Sequence, residues 1–142
     1  MNKLPSRWSA EAEIQVQFFD LDPMEVVWHG HYVKYLEMAR CALLDTIDYN
    51  YVQMKASGYV WPVIDLHLRY IDSARFGQRL KVHAEIVEWE NRLKIDYMII
   101  DPASGRRLLR GSTTQVAVDM ATREMCFVSP AVLFQKLGIP PS

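Results

Sequence analysis

Apolar and polar residues alternate strictly along three stretches of the chain. Ile64, Leu66, Leu68 and Tyr70 alternate with Asp65, His67 and Arg69; Leu80, Val82, Ala84 and Ile86 with Lys81, His83 and Glu85; Leu93, Ile95, Tyr97 and Ile99 with Arg92, Lys94 and Asp96. A period of two predicts strands with one face in a core. Segment 107–119 continues the theme, with Val116 and Val118 set against Gln115 and Ala117. Residues 13–19 predict an earlier strand, where Ile14, Val16 and Phe18 share a face opposite Gln15 and Gln17. Turn chemistry separates the later runs: Ser73-Ala74-Arg75-Phe76-Gly77, Glu90-Asn91, and Asp101-Pro102-Ala103-Ser104-Gly105. Connections this short make antiparallel neighbours.

One segment follows a different period. From 30 to 48, Tyr32, Leu36, Ala39, Leu43 and Ile47 recur at steps of three and four, while Lys34, Glu37, Asp45 and Asp48 fall opposite. That is a helix with a broad apolar stripe, flanked by Val33, Tyr35, Ala42 and Leu44. At ~1.5 Å per residue it is long enough to cross several strands spaced ~4.8 Å apart. A short helical turn is expected at 51–57 before Gly58, a return strand at 124–128, and a last helix at 130–137 with proline at its start and Gly138 at its end. The pattern as a whole is α+β: a five-stranded antiparallel sheet wrapped around one long central helix. Such a sheet leaves open edges. Pairing two sheets edge to edge would close them, so a homodimer or homotetramer is expected.

Composition narrows the class. The 142 residues suit a single domain, 1–142, and the formal net charge of -1 argues against a broad nucleic-acid footprint. Cys41 and Cys126 lack metal or redox spacing and read as free thiols. Residues 1–10 carry no apolar signal core, and no run approaches the ~20 apolar residues of a membrane span. A cytoplasmic protein is expected, with no cofactor and no bound metal. His29 and His31, two residues apart, do not share a helix face, and no cysteine or third histidine is near.

The stretch with the most chemistry is Gln15-Val16-Gln17-Phe18-Phe19-Asp20-Leu21-Asp22-Pro23-Met24-Glu25-Val26-Val27-Trp28-His29-Gly30-His31-Tyr32. It carries a strand end, two carboxylates, a proline break and two histidines, then opens the long helix. Backbone N–H groups at a helix start are unpaired and point outward. This stretch resembles the active-site signature of the 4-hydroxybenzoyl-CoA thioesterase family, the hotdog-fold acyl-CoA thioesterases. Asp22, Val26, Val27, His29 and Tyr32 match that signature, and Glu37, Ala39 and Arg40 resemble the acidic-x-Ala-Arg run of the family's helix. Two positions depart. Leu21 stands where the family usually has Thr or Cys, and Glu25 where it usually has Gly or Ala.

The resemblance implies a hotdog fold and hydrolysis of an acyl-CoA or acyl-carrier-protein thioester. Asp22 would be the nucleophile or general base, and a backbone N–H near His29 would polarise the carbonyl. Thioester hydrolysis needs such a carboxylate and such donors. Taken as a residue alone, Asp22 could equally cap a turn, and Asp20 reads as the structural partner that holds the loop. The His29 ring could bind the carbonyl or orient water, or simply hydrogen-bond the loop. Tyr32 completes the catalytic set, with packing as its other reading, and His31 reads as a surface or interface group. Val27 and Trp28 are the expected substrate-binding residues, although Trp28, Trp61 and Phe19 are side chains that ordinarily pack in a core. Lys94, Arg106, Arg107 and Arg110 are candidates for CoA phosphates. Two other readings share this pattern: a dehydratase or hydratase of 3-hydroxyacyl thioesters on the same fold, and a non-catalytic acyl-carrier-binding protein.

Overall fold

The apolar stripe of the long helix is buried along its whole length. The computed structural model describes residues 8–140. Residues 1–7, most of the segment expected to lack a secretory signal, lie outside the described residues. Helix α1 (Tyr32–Thr46) follows a tight 3-10 turn at His29–His31, and Tyr32, Leu36, Ala39, Leu43 and Ile47 are all buried while Lys34, Glu37, Asp45 and Asp48 are exposed. Asp48 ends the helix in the left-handed region (φ 53°), with its N–H on Asp45 O at 3.1 Å and the Tyr49 N–H on Leu44 O at 3.1 Å. Aspartate tolerates that conformation better than most residues. Helix α2 (Tyr51–Ala56) follows, capped by the Asn50 side chain.

Strand β1 (Ser9–Gln15) precedes these helices. After them come β2 (Tyr59–Val60), β3 (Val63–Tyr70), β4 (Arg79–Glu88), β5 (Leu93–Asp101), β6 (Arg106–Gln115), β7 (Val118–Asp119) and helix α3 (Ala131–Leu137). Five strands make one antiparallel sheet in the order β1-β4-β5-β6-β3, and β2 pairs with β7 separately. The face carrying Leu80, Val82, Leu93, Ile95, Ile99 and Leu109 packs on α1. Leu36 of the helix reaches Gly111 of β6, where an added Cβ would lie 3.3 Å from Leu36 Cδ1 and 2.9 Å from His67 O of the neighbouring β3. The five-stranded antiparallel sheet on a long helix expected from the alternation is present, but Ile64, Leu66 and Tyr70 of β3, expected on a core face, are exposed because β3 is a sheet edge.

Several boundaries differ from the sequence expectation. The first strand runs through Ser9–Gln15 rather than 13–19. Beyond it the Asp20 carboxylate accepts the Gln17 N–H at 2.9 Å and folds Phe18–Asp20 into a 3-10 turn. A local side-chain bond to the backbone competes with the ladder. Phe18, expected on the buried face, is therefore exposed. Phe19 and Trp28, side chains that ordinarily pack in a core, are exposed as well, whereas Trp61 is buried. Segment 107–119 is not one strand: the ladder stops at Gln115, and Val118 moves to pair with Val60. Gln115, expected on the polar face, is buried on the inner side opposite Leu93. The expected strand at 124–128 reduces to one bridge, Val118 to Met125, after a left-handed Arg123 (φ 62°).

Candidate active site

Residues 20–28 form a closed loop. The Asp22 N–H donates to Val26 O at 2.9 Å, the Trp28 N–H to Asp20 O at 2.9 Å, and the Val27 N–H to Ala74 O at 2.9 Å. Ala74 thus ties the loop to the turn between β3 and β4, and Val26 bridges Arg75. Asp22 Oδ1 accepts the Met24 N–H at 2.8 Å, the Asx turn that proline at 23 favours. Among the described residues, Asp22 Oδ2 takes no hydrogen bond. Asp22 is half-buried and lines an open groove of ≈ 590 Å³ with Phe18, Phe19, Leu21, Glu25, Arg75 and Phe76. Phe18, Phe19 and Phe76 present exposed rings there.

The loop is anchored beneath by Asp20. Its buried carboxylate accepts the Gln17 N–H and the Tyr35 hydroxyl (2.8 Å), and Lys34 Nζ lies 3.6 Å away. Burial pushes the Asp20 carboxyl up, but the Gln17 N–H, the Tyr35 hydroxyl, Lys34 and His31 together outweigh it and hold it below the usual carboxylate range. Asp20 is the loop-holding partner that its position in the sequence suggested.

The helix start lies beside this loop. Trp28 packs at a tilt against His29 (centroids 4.9 Å) and edge-on against His31 (5.2 Å), and its ring lies over Gly30. A Cβ at Gly30 would come within 2.2 Å of that ring, so only glycine permits this closure. His29 is exposed, and its carbonyl accepts the Tyr70 hydroxyl at 2.8 Å. Tyr32 is buried with its hydroxyl accepting the Ala74 N–H at 3.0 Å. Burial raises the Tyr32 hydroxyl, the Ala74 N–H opposes that, and Tyr70, Asp72 and Asp22 add to the rise; the phenol stays protonated at neutral pH. Val27 is buried in the core, and Trp28 clamps the helix start. Arg106, Arg107 and Arg110 are exposed and Lys94 half-buried, all on β5 and β6.

The sequence pattern of the thioesterase-like superfamily matches residues 16–141. The chain belongs to the thioesterase-like superfamily. As a member it is a thioester hydrolase, and its fold is the hotdog arrangement implied by the signature at 15–32. The Bacillus subtilis protein named "Putative acyl-CoA thioesterase YneP" is 27% identical over 111 residues, covering 78% of this chain and 80% of its own. The Synechocystis protein named "Putative esterase sll0410" is 31% identical over 128 residues, 89% and 77% of the two chains. Among solved structures, a DHNA-CoA thioesterase from Staphylococcus aureus superposes with TM-score 0.76 at 25% identity, over 84% of this chain and 80% of the other. Slr0204 from Synechocystis, a 1,4-dihydroxy-2-naphthoyl-CoA thioesterase, reaches TM-score 0.81 at 21% identity over 92% and 96%.

Glu25 gains meaning from this loop. It stands at φ 64°, the left-handed region, where the signature usually has Gly or Ala. An L-residue there costs ~1–2 kcal/mol. Glu25→Gly is expected to raise stability by about 1 kcal/mol, read as a higher Tm. An unchanged or lowered Tm would show that the Glu25 side chain contributes more than its backbone costs. Sequence reasoning missed Phe18, Arg75 and Phe76 as groove residues. The available signal was a phenylalanine, Phe76, inside an otherwise polar turn.

Proposed function

We propose that this thioesterase hydrolyses an acyl-CoA or acyl-carrier-protein thioester in the groove that ends at Asp22. The observation that carries the reading is a half-buried carboxylate held by one oxygen, with the other free, on an open groove formed by the loop that leads into the helix start. As general base, Asp22 removes a proton from water; the hydroxide adds to the carbonyl carbon. As nucleophile, its own oxygen adds, and water later cleaves the mixed anhydride. In either route the tetrahedral oxyanion forms against the first N–H groups of the helical segment at His29 and Gly30. One such donor is worth roughly 10²–10³ in rate. The C–S bond then breaks, and the thiolate leaves to take up a proton. Tyr32 and Tyr70 act as positioning residues, one bonded to Ala74 N–H and the other to His29 O. Val27 fixes the loop from the core, and Trp28 holds the helix start in place.

A thiol-release assay over short, long and aryl acyl-CoAs and acyl carriers tests the reading. No free thiol from any of them would overturn it, and interconversion of enoyl and 3-hydroxyacyl thioesters would favour the dehydratase alternative. The free thiols of Cys41 and Cys126 suit a reducing, cytoplasmic setting.

The same reading includes a homo-oligomer. Strand β3 is a sheet edge, and Ile64 (58%), Leu66 (41%), Tyr70 (48%) and Ile71 (49%) are exposed along it. An apolar, uncovered edge is a template for a second strand. Edge pairing of two β3 strands would cover these side chains and extend the ladder. Leu66→Arg is expected to shift the protein to monomer in sedimentation velocity; an unchanged mass would place the contact elsewhere.

A further inference from the structure

The groove at Asp22 is lined by one cation, Arg75, that the proposed chemistry does not use. Two bridges fix its place. Leu21 pairs with Val27, and Val26 with Arg75, both antiparallel. The Asp22 N–H on Val26 O sets Asp22 opposite Val26. Residues directly opposed across a ladder share a face, and successive residues alternate. Val27 and Ala74 are buried, so Asp22, Val26 and Arg75 stand in one row on the outward face. Two strand spacings of ~4.8 Å put about 10 Å between the Asp22 and Arg75 backbones.

The Arg75 turn is exposed, yet its backbone is held on several sides. The Arg75 N–H donates to Gln78 Oε1 at 2.7 Å, and Arg75 O accepts the Gln78 N–H at 3.1 Å. Gln78 Nε2 donates in turn to Asp101 Oδ2 at 3.0 Å, and Gln78 O accepts the Val16 N–H at 2.9 Å. The Arg75 side chain takes no part in this. Among the described residues its guanidinium makes no hydrogen bond and no ion pair. The other end of the row is acidic. Asp22 and Glu25 both line the groove and belong to one turn, closed by the Glu25 N–H on Asp22 O at 2.9 Å.

We infer that Arg75 anchors an oxyanion of the thioester substrate, a phosphate on the thiol arm or a carboxylate on the acyl group, and so orients the reacting carbon toward Asp22. The inference rests on the proposed hydrolysis at Asp22. A guanidinium is always charged, and its planar fork matches either oxyanion with two hydrogen bonds. Asp22 and Glu25 repel a further anion from their end, which leaves the Arg75 end as its seat. The exposed rings of Phe18, Phe19 and Phe76 supply apolar surface for the rest of the molecule.

Three thioethers, which have no carbonyl to attack, read the anchoring without turnover. S-hexylpantetheine is uncharged, S-hexyl-CoA adds phosphates, and S-(5-carboxypentyl)pantetheine adds a carboxylate. In calorimetry at least one charged probe should bind the wild-type protein about ten-fold tighter than the uncharged one. Arg75→Gln should abolish that margin and leave the affinity for the uncharged probe as it was, while Arg75→Lys should keep part of the margin. The charged probe that gains identifies the source of the oxyanion. Neither substitution touches the backbone bonds to Gln78, so both variants should keep the wild-type Tm. If a variant does not fold, the wild-type probe comparison stands. Equal binding of the three probes, no binding of any at millimolar concentration, or a margin that survives Arg75→Gln would overturn the inference.

A kinetic arm separates anchoring from chemistry. Arg75→Gln should raise KM about ten-fold and leave kcat within about two-fold, because an anchor felt equally in the ground and transition states acts on binding alone. A fall in kcat at unchanged KM would put Arg75 in the chemistry and overturn its anchoring role. A protein that releases no thiol removes the hydrolase reading, and the thioether measurements then decide by themselves whether Arg75 holds an oxyanion.

Discussion

Replacing Asp22 by asparagine is expected to lower kcat for thioester hydrolysis by about 10²–10⁴ while leaving the fold in place. The substitution separates the two things this residue can do. Asparagine keeps the side-chain oxygen that accepts the Met24 N–H at 2.8 Å, so the Asx turn closes as before. It loses the charge needed to attack a carbonyl or to take a proton from water. If Asp22 only shaped the loop, Asp22→Asn would be nearly silent in the thiol-release assay. Asp22→Ala would then cost about 1 kcal/mol of stability through the lost turn bond, with activity falling only as the loop loosens. Measuring kcat and Tm together for both variants distinguishes the cases. A kcat for Asp22→Asn within a few-fold of wild type would remove Asp22 from the chemistry.

Asp20 carries the largest expected effect on stability. Asp20→Ala is expected to destabilise the protein by roughly 3 kcal/mol, within the range for breaking a buried, hydrogen-bonded charge. It strands the Tyr35 hydroxyl in the core and frees the Gln17 N–H, the two groups that hold the turn at Phe18–Asp20. Lys34 is largely exposed, so its share of the loss is small. Against a typical total of ~5–15 kcal/mol this is a large fraction, and chemical denaturation would read it directly. The pH dependence has a definite sign. The folded carboxyl lies below the ordinary aspartate value of 3.8, so its stabilising contribution is complete above that value and is lost as pH falls through the lower folded value. Acid unfolding of wild type should include this loss, and Asp20→Asn should show a shallower fall below about pH 3.8. Equal acid limbs in the two proteins would mean that Asp20 gains nothing from its partners on folding.

The two carboxylates of the loop were told apart by different means. The carboxylate at 22 was marked by the resemblance of segment 15–32 to a thioesterase signature; residue types and spacing alone left it open as a turn cap. The side chains that surround it could not be read in either way. Phe76 and Arg75 reach the groove because Ala74 is bonded to both Val27 and Tyr32, contacts across more than forty residues of chain. Phe18 followed the alternation of a strand, but a single bond from the Gln17 backbone to Asp20 turned it outward. Gln115 followed the alternation of a polar face, yet the ladder ends there and the side chain enters the core.

Periodicity settled the helix, the number of sheet strands and their antiparallel sense, because burial on one face of a regular element imposes a repeat that any such sequence must carry. The loop signature pointed to the family that the match over residues 16–141 shows. Tertiary structure alone decided where each element stops, which aromatic rings stay in solvent, and which polar atoms end up sealed without a partner. Those outcomes depend on hydrogen bonds and contacts between residues far apart in the chain, and a local pattern of apolar and polar positions contains no term for them.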